Sequence, residues 1–172
     1  MDAHTESPKI PNSVSRGTSL GLAARPELRD DGRMKIPGLR SDYEQVGGLY
    51  YFGRMLDKIR LKAAGRLPAD YYTGTTDRTH FDARCCTLLT IDYDHLVKRV
   101  LAGGSDSEML NWCFQNGRRP SEDEIEIWNG FMMKRGWRDA GSAELAEAKR
   151  LAGLAARDDI QTWFDLHTAE EA

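Results

Sequence analysis

The chain has 172 residues, enough for one domain with a sound core. Hydrophobic residues make up 40% and charged residues 30%, and the net charge is −3, so no basic excess marks a duplex-binding surface and composition argues against nucleic acid as a partner. No run of about 18 apolar residues predicts a membrane span, and the N-terminus has no apolar h-region of a secretory signal. Three cysteines, at 85, 86 and 113, fit neither a disulfide framework nor a zinc spacing, so the expected location is reducing and cytoplasmic, with no metal and no cofactor.

Four of the six prolines (Pro8, Pro11, Pro26, Pro37) fall in the first forty residues, where apolar positions are sparse and aperiodic. Residues 1–26 are expected to be disordered and residues 27–41 to form an extended arm lying on the domain; as a domain bound, the disordered or extended leader is set at residues 1–34. A single helical domain is expected over residues 35–167, with residues 168–172 frayed.

The first long periodic stretch is VGGLYYFGRMLDKIRLKAA, residues 46–64. Leu49, Phe52, Leu56, Ile59 and Ala63 recur at helical spacing and predict an opening helix from residue 49, stopped by Gly65. Gly53 inside it costs up to about 1 kcal/mol relative to Ala, and its missing side chain would let another segment pack close. Residues 65–79 are rich in Gly, Pro, Thr and Asp and predict a surface loop held down by Tyr71 and Tyr72. Asp82 is placed to cap a helix over 83–89, and Asp92 one over 93–102.

Ser105–Glu108 and Ser121–Glu124 each read as a capping box, starting helices that run to Asn116 and to Arg135. In the second, three acids in the first turn and Lys134 and Arg135 in the last complement the helix dipole. Ser142 is expected to cap an alanine-rich helix ending near residue 156, and Asp158 or Asp159 a short one over 160–167. No segment alternates with β-branched enrichment. The fold class expected is therefore all-α: a compact domain of six or seven short helices behind an extended or disordered leader.

Candidate sites centre on the other side of the opening helix. At about 100° per residue, Tyr50, Arg54, Asp57, Lys58 and Leu61 share one sector. Two outcomes follow. In one, the face is solvated and carries a small Arg54–Asp57 salt bridge worth a few tenths of a kcal/mol. In the other, it walls a pocket: Arg54 and Lys58 bind an anionic small molecule, Asp57 orients them or acts as acid or base, and Tyr50 and Trp128 form apolar walls. Asn129, beside Trp128, belongs to the same patch because its i,i+4 neighbours are apolar and a buried amide needs partners. Cys85 and Cys86, near a helix start and beside Arg84, are weak candidates for reactive thiols, with Asp82 acting against them. The four histidines form no metal or catalytic motif. The reading from a different class is a non-enzymatic interaction module, docking another protein or a second copy through the arm or an apolar patch.

VGGLYYFGRMLDKIR, AGRLP, FDARCC, IDYDHL, SDSEMLNW, RRPSEDEIEIWN and DDIQTWF together resemble an uncharacterised bacterial family, a domain of unknown function, over roughly residues 35–166. The resemblance implies a compact, cytoplasmic helical domain. It implies no catalytic residue. It makes Arg54, Asp57 and Lys58 the residues to test, because they stand in the most distinctive motif.

Overall fold

The computed structural model describes residues 27–28 and 34–171. The expectations for residues 1–26 and most of the leader lie outside them. Within the arm, β1 (Glu27–Leu28) pairs antiparallel with β2 (Met34–Lys35). A second two-stranded pair, β3 (Gln45–Val46) and β4 (Leu49–Tyr50), is a tight hairpin. Its two turn residues, Gly47 and Gly48, have φ of +56° and +85°, the signature of a turn that matches strand twist and excludes side chains. Seven helices follow: α1 (Phe52–Ala63), α2 (Phe81–Leu89), α3 (Tyr93–Leu101), α4 (Asp106–Asn116), α5 (Glu122–Lys134), α6 (Ser142–Leu151) and α7 (Trp163–Glu171). The fold is all-α apart from these two-residue strands.

The opening helix thus begins three residues later than its apolar spacing predicts. Leu49 is fully buried, but from β4 and not from a helix. Gly-Gly between two apolar residues was the local signal for a hairpin. Tyr51 makes the switch from strand to helix in the left-handed region, at φ +70°. That conformation is costly for a residue with a side chain and persists where surrounding contacts fix it.

From Phe52 to Ile59 every residue of α1 is buried, as is Leu61. A helix covered on all sides is the axis of a domain rather than a surface element. Fully burying one of its Leu, Met or Phe side chains contributes about 1.5–3 kcal/mol. α3 packs on α1, α4 on α3 and β3, and α5 on β4 and α7. This main core gathers Phe52, Met55, Leu56, Cys85, Leu96, Met109 and Phe164 among others. A second, smaller cluster joins Leu145 of α6, Leu154, Ile160, and Leu166 and Ala169 of α7.

Both capping boxes form, with Glu108 and Glu124 accepting from the cap amides, and Asp92 accepts from His95 N at 2.8 Å. Four expected boundaries move. The residue before α2 is His80, and Asp82 sits inside the helix, where its carboxylate serves a tertiary network instead of the cap. α6 stops at Leu151 because Gly153, at φ +71°, ends it. α7 starts at Trp163, behind a reciprocal pair in which Asp165 N donates to Thr162 Oγ1 and Thr162 N donates to Asp165 Oδ2. It continues through Glu171, past the frayed segment expected from residue 168, because Glu171 has a buried partner to hold it.

Candidate functional site

The seam between the two hydrophobic clusters is an open cavity of about 540 Å³ lying against α1. Tyr51, Phe81, Arg54 and Lys58 line it from the main-core side, and Ala148, Leu154, Trp163 and Leu166 from the other. His80, His167 and Arg135 complete the inner wall, while Asp70, Tyr72, Glu144 and Glu170 are exposed at the rim.

Arg54 and Lys58 are one turn apart on the cavity side of α1, and they are 2% and 5% exposed. A buried cation must be paired. Arg54 has two carboxylate partners from the ends of the described chain. Its Nη1 donates to Glu171 Oε2 at 2.9 Å and its Nη2 to Glu171 Oε1, and its Nε faces Asp42 Oδ1 at 3.5 Å. Nη1 also donates to the Arg40 carbonyl. Tyr71 donates its hydroxyl to Glu171 at 2.8 Å. Asp42, 1% exposed, meets His167 Nδ1 at 3.1 Å on its other side. Burial pushes the Asp42 carboxyl up, yet His167, Arg54 and Lys58 together hold it below its ordinary value.

Lys58 Nζ lies 2.7 Å from the Tyr51 hydroxyl, 2.7 Å from the Tyr72 carbonyl and 2.8 Å from Asp82 Oδ1. Three donors meet three acceptors, so the ammonium is saturated. The Tyr51 hydroxyl donates to Asp82 at 2.7 Å, and Gly74 N donates to the other Asp82 oxygen at 3.0 Å. Burial outweighs the pull of Asp82 and lowers the Lys58 pKa, and burial together with Asp82 raises that of Tyr51 well above the phenolic range. These bonds explain the unusual backbone of Tyr51, since its ring is buried in the core and its hydroxyl is fixed from two sides.

Asp57, expected beside Arg54, faces away from the cavity. It accepts from Arg40 Nε at 2.6 Å and Nη2 at 2.8 Å, and Arg60 lies 3.4 Å away. Asp106 bridges the same two arginines at 2.7 and 2.8 Å. The Arg40 side chain crosses Gly53 so closely that a Cβ there would stand 2.5 Å from Nη1. Gly53 is therefore the close-approach position its sequence context suggests, and the arm is the segment that approaches.

Tyr50, Trp128 and Asn129 meet one another, but at the hairpin. Tyr50 N donates to Asn129 Oδ1 at 3.1 Å, Asn129 Nδ2 donates to the Gly48 carbonyl at 2.8 Å, and Trp128 Nε1 donates to the Tyr50 carbonyl at 3.2 Å. α5 thereby clamps the strand edge that leads into α1, and none of the three lines the cavity. Asn129→Leu strands one backbone donor and one acceptor. It is expected to cost about 1–3 kcal/mol in a denaturant titration; a change within 0.5 kcal/mol, about the noise of a surface substitution, would show the clamp to be idle.

Cys85 and Cys86 are buried, 0% and 3% exposed, as is Cys113, and all three are free thiols. Burial, and then the neighbouring Asp82 charge, pushes Cys86 up to about 12, and burial raises Cys85 well above the thiol range. Both effects disfavour thiolate and leave these positions inert in the folded chain. Among the described residues no group of three or more His, Cys, Asp or Glu side chains is placed to hold a metal ion, and no helix is long and apolar enough to cross a membrane.

Residue spacing pointed to Arg54 and Lys58 but missed the rest of the cavity: His80, Phe81, Arg135, Trp163 and His167. These come from three separate segments, and no local pattern links them. The polarity signal that placed Arg135 in the last turn of α5 was the only hint of its setting, and it reads as dipole complementation. No curated protein matches the chain. The model of the family described as a domain of unknown function (DUF5069) matches residues 36–172, which takes in α1, the loop after it and every other segment that walls the cavity; the chain belongs to that family.

Proposed function

We propose that the seam cavity binds a small organic molecule with an apolar body and an anionic group. The observation that carries this reading is the distribution of charge in the wall. The buried charged side chains that line it, Arg54, Lys58 and Arg135, are all cations. Their carboxylate partners Asp42, Asp82, Glu171 and Asp139 stand behind them, outside the lining, and the lining carboxylates Asp70, Glu144 and Glu170 are exposed at the rim. Phe81, Trp163 and Leu166 supply apolar surface between the cations. Concave, mostly apolar clefts of 300–1,000 Å³ with a few convergent polar groups are typical of ligand sites, and about 540 Å³ falls in that range. The buried free thiols suit the reducing, cytoplasmic setting proposed for the chain.

The test is a thermal-shift screen of anionic metabolites against the full chain and Ala148→Trp. Ala148 is a half-buried wall residue outside the ion-pair network, so the indole fills the seam without removing a partner. A ligand at a hundred times its Kd stabilises by about 2.7 kcal/mol. The expected result is a compound that raises the melting temperature of the wild type and not of Ala148→Trp. Stabilisation that survives the substitution places the compound elsewhere and overturns the reading.

A further inference from the structure

We infer that Arg135, which lines the cavity, and Arg84, a neighbour outside the lining that shares the Phe131 ring, form the subsite that recognises the oxyanion of the ligand, a phosphate or carboxylate, in place of Arg54 and Lys58. This rests on the cavity being a ligand site and identifies which of the cations in and beside its wall make contact.

Arg54 and Lys58 are poorly suited to direct recognition. All three Lys58 donors are engaged, and Arg54 has given a bidentate pair to Glu171, one bond to a carbonyl and its Nε to Asp42. A ligand would have to displace these buried partners, and an uncompensated buried carboxylate is costly.

Arg135 differs. It closes α5, is 9% exposed and lines the cavity. One Nη1 bond of 2.8 Å to Asp139 fixes it, and Asp139 is in turn fixed by the amides of Gly136 and Gly141 at 3.1 and 2.7 Å. The turn packs onto the guanidinium so tightly that a Cβ on Gly141 would lie 2.8 Å from its central carbon. Its Nε and Nη2 have no hydrogen-bond partner among the described residues. Every fully buried polar side-chain atom among them has one, so these nitrogens keep some solvent-accessible surface, and Arg135 is a lining residue of the cavity. Nε and Nη2 are the edge of a guanidinium that takes a carboxylate or phosphate bidentately.

Arg84, on α2, stands 5.2 Å from the Phe131 ring centroid, and Arg135 stands 5.9 Å from the same centroid. Arg84 Nε donates to the carbonyl of Thr79, a cavity residue, at 2.9 Å, and its two Nη groups have no ion-pair partner among the described residues. Burial and then the Arg135 charge make the Arg84 proton easier to lose; Asp139 and Asp77 oppose that only in part. Arg135 and Arg84 share one ring with one contacting carboxylate and leave positive charge uncompensated, whereas Arg54 and Lys58 are fully paired. An oxyanion would supply the missing partner, and His80, next to Thr79 and in tilted ring contact with Tyr72 at 3.8 Å between centroids, borders the same end.

Binding of phenyl phosphate, benzoate and inorganic phosphate to the full chain, followed by calorimetry at fixed ionic strength, tests the assignment. Phenyl phosphate or benzoate should bind, and the preference between them identifies the oxyanion. Arg135→Gln and Arg84→Gln should each weaken that binding about tenfold or more, while Arg150→Gln, an exposed arginine paired with Glu147, should leave it unchanged. Arg84 is half-buried and holds only one backbone bond, so its variant keeps the test sound should Arg135→Gln fold poorly. Phenyl phosphate binding that is lost in Ala148→Trp but indifferent to both arginine variants keeps the cleft and overturns the arginine pair. Inorganic phosphate binding that needs Arg84, with phenyl phosphate no tighter and indifferent to Ala148→Trp, keeps the pair and overturns the cleft. Absence of binding by all three probes overturns the inference.

Discussion

Lys58→Met should lower the free energy of unfolding by about 3–5 kcal/mol, the range for removing one partner of a buried ion pair. The methionine matches the length and apolar stem of lysine, so little packing is lost. What is lost is the cation beside Asp82, which is 1% exposed and would keep only the Tyr51 hydroxyl and the Gly74 amide. The Tyr72 carbonyl would also lose its donor, loosening the loop that closes over α1. Adding Asp82→Asn removes the stranded charge while keeping an acceptor for Tyr51, so the double variant should recover a large part of the loss. Guanidinium unfolding of the wild type, both singles and the double closes the cycle. Additive losses would mean that Lys58 and Asp82 act independently, contrary to their 2.8 Å contact.

Arg54→Met should be as damaging, at about 3–5 kcal/mol, and should change the acid limb of stability as well. Asp42 has a folded-state pKa held below its ordinary value by His167, Arg54 and Lys58 against the opposing effect of burial. A carboxyl of that kind contributes stability that is fully present above its unfolded value, about 3.9, and is lost as pH falls through the lower folded value. Without Arg54, burial gains on the remaining cations and the folded value rises. The midpoint of acid unfolding should therefore move to higher pH in Arg54→Met. An unchanged midpoint would show that His167 and Lys58 suffice to hold Asp42. The same substitution releases Glu171, so amide exchange should quicken in the last turn of α7 and in the arm around residue 40 before it does in α3 or α4.

These two cations also explain why α1 tolerates charge at the centre of the domain. Each ties distant parts of the chain to one helix. Arg54 holds the arm and the C-terminal helix, separated from it by 14 and 117 residues, and Lys58 holds the loop and α2. On the far side, Asp57 holds the arm again through Arg40. Buried pairs are weak evidence for net stability, since apolar residues of similar volume often do as well. Here each pair fixes which segment lies against which turn of α1, and so sets the walls of the seam cavity.

The two halves of the notion of an amphipathic opening helix fared differently. Its apolar positions Phe52, Leu56 and Ile59 are core, as their spacing requires. Its charged sector is covered too, because α7, the arm and the loop after α1 close over it. A local ion pair between Arg54 and Asp57 gives way to a closest partner 17 residues away, Arg40, for Asp57 and one 117 residues away, Glu171, for Arg54. The buried partners gain by excluding water, which an i,i+3 pair on an open helix face does not.

Sequence by itself determined the all-α class, the two capping boxes, the Asp92 cap, the stop at Gly65 and the close approach at Gly53. Each is a statement about neighbours within a few residues: a hydroxyl three positions from an amide, a glycine where a side chain would strain or collide. Only the tertiary structure decided that Arg54 and Lys58 are buried and paired, that Trp128 and Asn129 serve the hairpin, and that Arg135 joins Arg84 at Phe131. Those outcomes depend on which segments share the space around α1. Burial in that space makes a charge choose its partner by three-dimensional distance, and a linear chain does not record that distance.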